Sequence, residues 1–249
     1  VVVKRVLHES AFVLHRYDWS ESSLILEVFT RDHGRIALVA KGVKKPSSQF
    51  RPILLPLQPL QVSYGGDAEV QTLKSAEWVG GHIMPTGATL LAGYYLNELL
   101  MRLLARDDPH PELFDAYALT VRWLATQGED SADWVLRAFE LKLLQEIGLL
   151  PQLSHTTADL QALLPERRYV IVPEGGLRVA QAHESTAIRG EHWLALHAAG
   201  ESGVPLSDLV SACVPVAQEL KLQLRGLVHY HCGVNTLRTR EMMMQVRDL

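Results

Sequence analysis

Cysteine occurs only twice, at Cys213 and Cys232, too few for the paired framework that staples small secreted domains. Long apolar runs are also missing. None approaches the roughly 18 residues that span a bilayer, so no membrane partner is expected. The opening VVVKRVLHES has no apolar core followed by small cleavage residues, so no secretory leader is expected and a cytoplasmic protein fits best. Signatures of common chemistry are absent too. There is no phosphate-binding loop, no Gly-rich dinucleotide fingerprint, no nucleophile-elbow serine and no HExxH. Acids are scattered, without the clustering that a metal-dependent nuclease needs. Among 11 histidines, the best metal candidate is HYHC, with His229, His231 and Cys232. On a helix His229 and Cys232 share a face while His231 points elsewhere, and two ligands do not close a site. No catalytic centre, metal or other cofactor is expected.

What is present is ordinary globular composition, 47% hydrophobic and 21% charged over 249 residues. That is enough chain for one large domain or two small ones, each with a real core. The formal net charge is −4, but it is unevenly divided. Residues 1–80 carry ten Lys/Arg against eight Asp/Glu, a net of +2, and residues 81–249 carry 14 against 20, a net of −6. Within the first part, FTRDHGRIALVAKGVKKPSSQFRP (29–52) sets Arg31, Arg35, Lys41, Lys44, Lys45 and Arg51 against Asp32 alone.

The first 80 residues read as strands. AFVLHRY (11–17), SLILEVFT (23–30), RIALVAK (35–41), LQVSY (60–64) and EVQTLKSAEW (69–78) are short alternating or β-branched runs. Asp32-His33-Gly34 makes a three-residue hairpin turn with Gly where φ > 0 is wanted, and Gly65-Gly66-Asp67 makes a second tight turn. Five short strands without a clear helix suggest a small barrel, with an OB-fold the natural candidate. After Pro85 the period becomes helical. TLLAGYYLNELLMRLLA (89–105) stops at Asp107-Asp108-Pro109, and Pro111 opens PELFDAYALTVRWLAT. Gly128 closes that helix, and Asp130 or Ser131 caps ADWVLRAFELKLLQEI, which ends at Gly148. These three broad apolar helices are expected to bundle together. Residues 150–190 are irregular, with a small hairpin from YVIVP (169–173) and LRVA (177–180). Helices follow near 191–199 and 205–212, then a longer one from Pro215 to Gly233. The expected fold class is α+β: an OB-fold domain at 1–80, then a mainly helical domain at 81–249 with the hairpin insertion at 150–190.

Two readings of the basic stretch compete: a nucleic-acid surface and an ordinary solvated hairpin. Arg35 and Lys41 stand an even number of steps apart, on one face of a strand. Gly42 lets the chain bend so that Lys41, Lys44 and Lys45 gather at the strand's end, with Arg51 beyond. OB-folds bind single strands on such a face and its flanking loops. Phe29, Phe50 and Tyr64 are the available stacking aromatics, with core packing the expected role of Phe29. A second cluster, Lys221, Arg225, Arg238, Arg240 and Arg247, opposes only Glu241. There NTLRTRE reads as a turn and a helix start capped by Thr239 or Thr236, and composition fits equally Arg238 and Arg240 reaching a phosphate and a solvated terminal helix.

AFVLHRYDWSESSLILEVFTRDHGRIALVAKGVKK (11–45) closely resembles the start of the bacterial RecO recombination mediators. PLQPLQVSYGGDAEVQTLKSAE, YYLNELLMRLL, DPHPELFDAY, LRAFELKLLQEIG and LRTRE continue the resemblance in order through residue 150 and again at 237–241. The resemblance implies an N-terminal OB-fold, a helical remainder and no catalytic centre. It implies binding of single- and double-stranded DNA, annealing of complementary strands, and, with RecR, loading of RecA recombinase onto DNA coated by the single-stranded-DNA-binding protein. It also implies a bacterial, nucleoid-associated setting. Many relatives carry a four-cysteine zinc module after the ELxLLxxLG helix; here no cysteine lies between 150 and 200, so zinc is not expected. A further implied partner is the acidic, Phe-ended tail of the single-stranded-DNA-binding protein. Such a tail needs an apolar pocket beside a cation. Arg137, Leu141 and Leu144, at i, i+4 and i+7, supply one on a helix face, unless the leucines are bundle core. The alternative function is an OB-fold adaptor whose basic loop holds a protein or RNA. Strand annealing separates the two, since an adaptor does not accelerate it.

Overall fold

The computed structural model describes residues 5–247. Its first five strands are β1 (Arg5–Asp18), β2 (Leu24–Thr30), β3 (Gly34–Ala40), β4 (Pro59–Gly65) and β5 (Val70–Trp78). They close into a barrel in the order β1-β2-β3-β5-β4. β3 and β5 run parallel, and the other pairs are antiparallel. Closure removes the unpaired edges that an open sheet of this size would expose. β1 is long because it serves both sides of the closure. Its first half pairs with β4, from Arg5↔Gly65 to Phe12↔Pro59, and its second half with β2, from Ala11↔Thr30 to Asp18↔Leu24.

Alternate residues of the strands, among them Val13, Leu26, Val28, Leu38, Val62 and Tyr64, fill the barrel. The outward residues of β1 and β2 are buried as well: Phe12, Leu14 and Phe29 are each at most 2% exposed. Helices α1 (Gly87–Leu103) and α2 (Pro111–Thr126) belong to the same unit and supply the cover. Phe12 packs on Tyr117 and Phe114 with ring centroids 5.0 and 5.5 Å apart, and Phe29 lies 5.4 Å from Phe114. Burial on both faces explains why these strands read as nearly continuous apolar runs. Buried Asn97 orients the contact: its amide donates to the Leu14 carbonyl at 3.0 Å and accepts from the Tyr117 hydroxyl at 2.6 Å. Gly93 lets α1 approach, because a Cβ there would stand 2.5 Å from Leu57 Cδ1.

Two compact units make up the chain, Val1–Thr126 and Gln127–Leu249. In the second, α3 (Ala132–Glu146) packs against α5 (Leu206–Cys213) and α6 (Ala217–Cys232). The expected bundle of the first three helices is therefore corrected: α1 and α2 cover the barrel, and α3 finds its partners far along the chain. Ser131 stands at the N-cap of α3, but its hydroxyl donates to the Gly128 carbonyl instead of capping. The expected hairpin forms as β6 (Arg168–Val172) and β7 (Gly176–Val179), with a two-residue third strand, β8 (Ile188–Arg189), on the other side of β6. Buried Gln223 of α6 accepts from Ile171 N at 2.7 Å and donates to the Thr186 carbonyl at 2.6 Å, fixing the sheet to the helix. α4 (Gly190–Ala199) contributes the fully buried Trp193. α7 (Arg238–Arg247) follows the left-handed Gly233, so Thr239 lies inside its first turn. Among the described residues no helix is long and apolar enough to cross a membrane.

Candidate nucleic-acid interface

At the end of β3, Lys41 is exposed and Gly42 takes φ +70°, a left-handed turn that suits glycine. Val43 then drops into the barrel core, with Leu54 from the far end of the same loop. Between these anchors the chain is held by short turns, Lys45 N to Gly42 O at 3.2 Å and Ser48 N to Lys45 O at 3.0 Å. Two plugs and local hydrogen bonds thus place a basic loop against the turn joining β1 to β2.

Lys44 joins the two segments. Its ammonium sits 2.6 Å from Asp18 Oδ1 and donates to the Ser20 carbonyl at 2.8 Å, while its backbone N–H donates to Ser22 O at 3.0 Å. A cleft opens on either side of this tie. One, about 440 Å³, is lined by Arg16, Asp18, Leu24, Val43, Lys44, Arg51 and Leu54. The other, about 470 Å³, is lined by Trp19, Ser20, Ser22, Ser23, Val39, Lys41, Gly42 and Lys45. Lys41, Lys45 and Arg51 are exposed, and their side chains make no ion pair or hydrogen bond among the described residues. Arg16 is exposed as well and donates to the Leu54 carbonyl at 3.3 Å. Exposed, unpaired cations around two clefts, one of them lined by serines, can bind a polyanion.

Arg35 does not belong to this surface. Its side chain is 15% exposed, donates to Glu27 Oε2 at 2.9 Å, and reaches the Leu104 carbonyl at 3.1 Å. Glu27, itself buried, also accepts from Arg106, which in turn holds Glu69 at 2.7 Å. Parity does put Arg35 and Lys41 on one face, but six residues of strand separate them by about 20 Å. The arginine fixes the segment after α1 to the barrel. Phe29 and Tyr64 are also removed from the stacking candidates, since both are fully buried; Phe50 packs against the barrel core. Of the exposed aromatics, the one that lines these clefts is Trp19, 66% exposed. It lies outside the basic stretch, and its signal in the sequence is a tryptophan in Asp-Trp-Ser-Glu-Ser-Ser, out of place in a polar turn.

In the second unit, Arg238 is exposed and Arg240 half-buried in the first turn of α7. Burial, followed by the charges of Arg240 and Arg225, holds His229 below its ordinary pKa, so it is neutral at pH 7. The Arg247 side chain lies outside the described residues. Arg137, Leu141 and Leu144 do share a face of α3, but that face is interior. They are 5%, 1% and 0% exposed, and Arg137 is closed onto Glu140 at 2.6 Å. The neighbouring Cys213 thiol is pushed up to about 12, by burial first. The proposed groove for an acidic tail is thus corrected to packed core. The face is buried because α5 and α6 pack on α3.

No three His, Cys, Asp or Glu side chains converge on a metal position among the described residues. The segment between α3 and β6 holds no thiolates for zinc and is fixed by hydroxyls instead. Thr157 exchanges hydrogen bonds with Leu177, N–H to carbonyl and Oγ1 from N–H, both at 2.8 Å, and Gln161 N donates to Thr156 Oγ1 at 3.1 Å.

A closed barrel of this strand order, with a helical second domain, defines an OB-fold protein of the α+β class. The chain belongs to the RecO family of DNA repair proteins: the model described as Recombination protein O N terminal matches residues 5–82, and Recombination protein O C terminal matches residues 84–241. It is 62% identical over 249 residues to the DNA repair protein RecO of a Polaromonas species, covering 100% of both chains. Identity to the Polaromonas naphthalenivorans protein of that name is 63% over 246 residues, 99% of each chain. For Albidiferax ferrireducens it is 57% over 249 residues, 100% of this chain and 99% of the relative.

Proposed function

We propose that this protein is a non-enzymatic DNA-binding mediator. It anneals complementary single strands and, with RecR, helps load RecA onto DNA coated by the single-stranded-DNA-binding protein. The observation that carries this reading is the set Arg16, Lys41, Lys45 and Arg51 around two clefts at one end of the barrel, the last three with no ion pair among the described residues. Family membership supplies the DNA repair context. Arg238 and Arg240 are a second contact region for single- or double-stranded DNA. Each cation that meets a phosphate releases a condensed counterion, and two strands neutralised on one surface repel each other less. Complementary bases then meet more often. Recruitment to coated DNA runs through the acidic tail of the single-stranded-DNA-binding protein, and the protein works in the bacterial cytoplasm at the nucleoid.

Four phosphate contacts on a single strand correspond to a log–log salt slope of about −3. Lys41→Glu/Lys45→Glu/Arg51→Glu is expected to weaken oligonucleotide binding, flatten the slope to about −1, and slow annealing of complementary strands. Unchanged affinity, slope and annealing would return the barrel loop to a solvated surface.

A further inference from the structure

We infer that Trp19 is a base-stacking residue and that it gives the barrel surface its preference for single-stranded over duplex DNA. The inference rests on the DNA-binding reading above and adds a residue and a strand-type discrimination to it.

Among the described residues Trp19 is the most exposed aromatic side chain, at 66%, and it takes part in no ring contact. Nothing in the packing asks for an indole there. The turn that carries it is nonetheless well fixed. Trp19 N and Ser20 N donate to the Ser23 carbonyl at 3.3 and 3.4 Å, and Ser23 N donates to Ser20 Oγ at 3.1 Å. The Lys44 side chain and backbone hold the same turn from the other side. A large apolar ring is therefore presented to water on a rigid mount, so little ordering is needed when it meets a ligand.

The surroundings say which ligand. Trp19 lines the cleft of about 470 Å³ together with Lys41, Lys45, Ser20, Ser22 and Ser23. An apolar side chain alone would gain nothing from two cations beside it, and an acidic, Phe-ended tail would offer one ring where a strand offers a base and a phosphate at every step. A nucleotide has both parts in one unit, a π-face for the indole and a phosphate for a lysine. Tyr17, 44% exposed, is a weaker candidate, because its ring is engaged edge-on by His15 at 4.5 Å and it does not line the cleft. Only an unpaired base can offer its face to Trp19. In a duplex that face is already stacked, and exposing it requires extrusion of the nucleotide.

The test compares wild type, Trp19→Ala, Trp19→Phe and Lys41→Glu/Lys45→Glu, each first shown to melt normally. Probes are a labelled oligothymidine and a labelled mixed-sequence duplex across a salt series. Trp19→Ala is expected to weaken oligothymidine binding by about 5- to 150-fold, to change duplex binding less than about two-fold, and to leave the salt slope unaltered, since no phosphate contact is removed. Trp19→Phe should recover most of the loss. Equal weakening on both probes, or no weakening on oligothymidine, overturns the stacking role. If Lys41→Glu/Lys45→Glu also leaves oligothymidine binding and slope intact, the DNA-binding reading of the loop fails with it; if that variant loses binding while Trp19→Ala does not, only the stacking inference fails.

Discussion

Replacing Glu27 with Gln removes the one charge that Arg35 and Arg106 share inside the first unit. The Glu27 side chain is 5% exposed and Arg35 15%, whereas Arg106 keeps 33%. Two charge-assisted hydrogen bonds are at stake, each worth about 1.5–3 kcal/mol. The amide oxygen keeps one of them in weaker form, with the charge now on the guanidinium alone, and the Arg106 half is discounted for solvent screening. What remains is a destabilisation of about 2–3 kcal/mol, below the ~3–5 kcal/mol typical when a fully buried pair is broken. For a chain of this size that lowers the melting temperature by roughly 5–10 °C. Arg35→Gln should cost about as much, because it also gives up the bond to the Leu104 carbonyl.

Thermal and urea unfolding of Glu27→Gln, Arg35→Gln and the double variant measure this. The double variant should lose less than the sum of the singles, the signature of a direct pair. At a temperature where all are folded, Arg35→Gln should bind single strands within about two-fold of wild type, since its guanidinium faces Glu27 and not a phosphate path. An Arg35→Gln protein that melts normally but loses DNA affinity and salt slope refutes the reasoning. It would return Arg35 to the DNA surface where strand parity had placed it.

Two smaller perturbations test other parts of the fold. Gly34→Ala forces a Cβ onto a residue at φ +70° and sets it 2.0 Å from the Asp108 carbonyl oxygen. It should cost at least ~2 kcal/mol, against about 1 kcal/mol for Gly42→Ala, where φ is the same and the nearest atom is 3.8 Å away; chemical denaturation separates them. In the second unit the hydrogen bond from Arg178, followed by the N–H of Gln181, holds the Glu184 carboxyl at about 2 instead of the ordinary 4.5. A depressed carboxylate contributes stability above pH 4.5 that is lost as pH falls towards 2. NMR titration should find its midpoint near the lower value, and Arg178→Gln should move it back up.

The barrel was legible in the sequence because its strands are short, alternating and separated by turns with the right chemistry. Asp32-His33-Gly34 needed φ > 0 at Gly34, and the turn is there. The first half of β1 was not legible. Arg5–Ser10 is largely polar and carries a register shift between Val6 and Glu9, with His8 at positive φ, so only its pairing with β4 makes it a strand. Helix positions were legible as well, from Pro111, Gly128 and Gly148. Helix partners were not, because an apolar stripe says that a face is covered without saying by what. The same ambiguity misplaced Leu141 and Leu144, since a peptide groove and an interior face share one spacing. For Arg137 the clue lay three residues on: Glu140 at i+3 can close onto it.

Charge counted along the chain overstates the surface in a way that the first unit makes specific. Of the six cations in residues 29–52, Arg31 is engaged by Asp115 at 2.9 Å, Arg35 by buried Glu27 and Lys44 by Asp18. All three acids lie outside the stretch, on strands β1 and β2 and helix α2. Six cations therefore leave three without an ion pair among the described residues, Lys41, Lys45 and Arg51, to which β1 adds Arg16. The difference is measurable: six phosphate contacts on a single strand would give a salt slope of about −4, and four give about −3. The basic stretch ties the first unit together with half of its cations and leaves the other half unpaired among the described residues, a division that pairing across elements sets and composition cannot show.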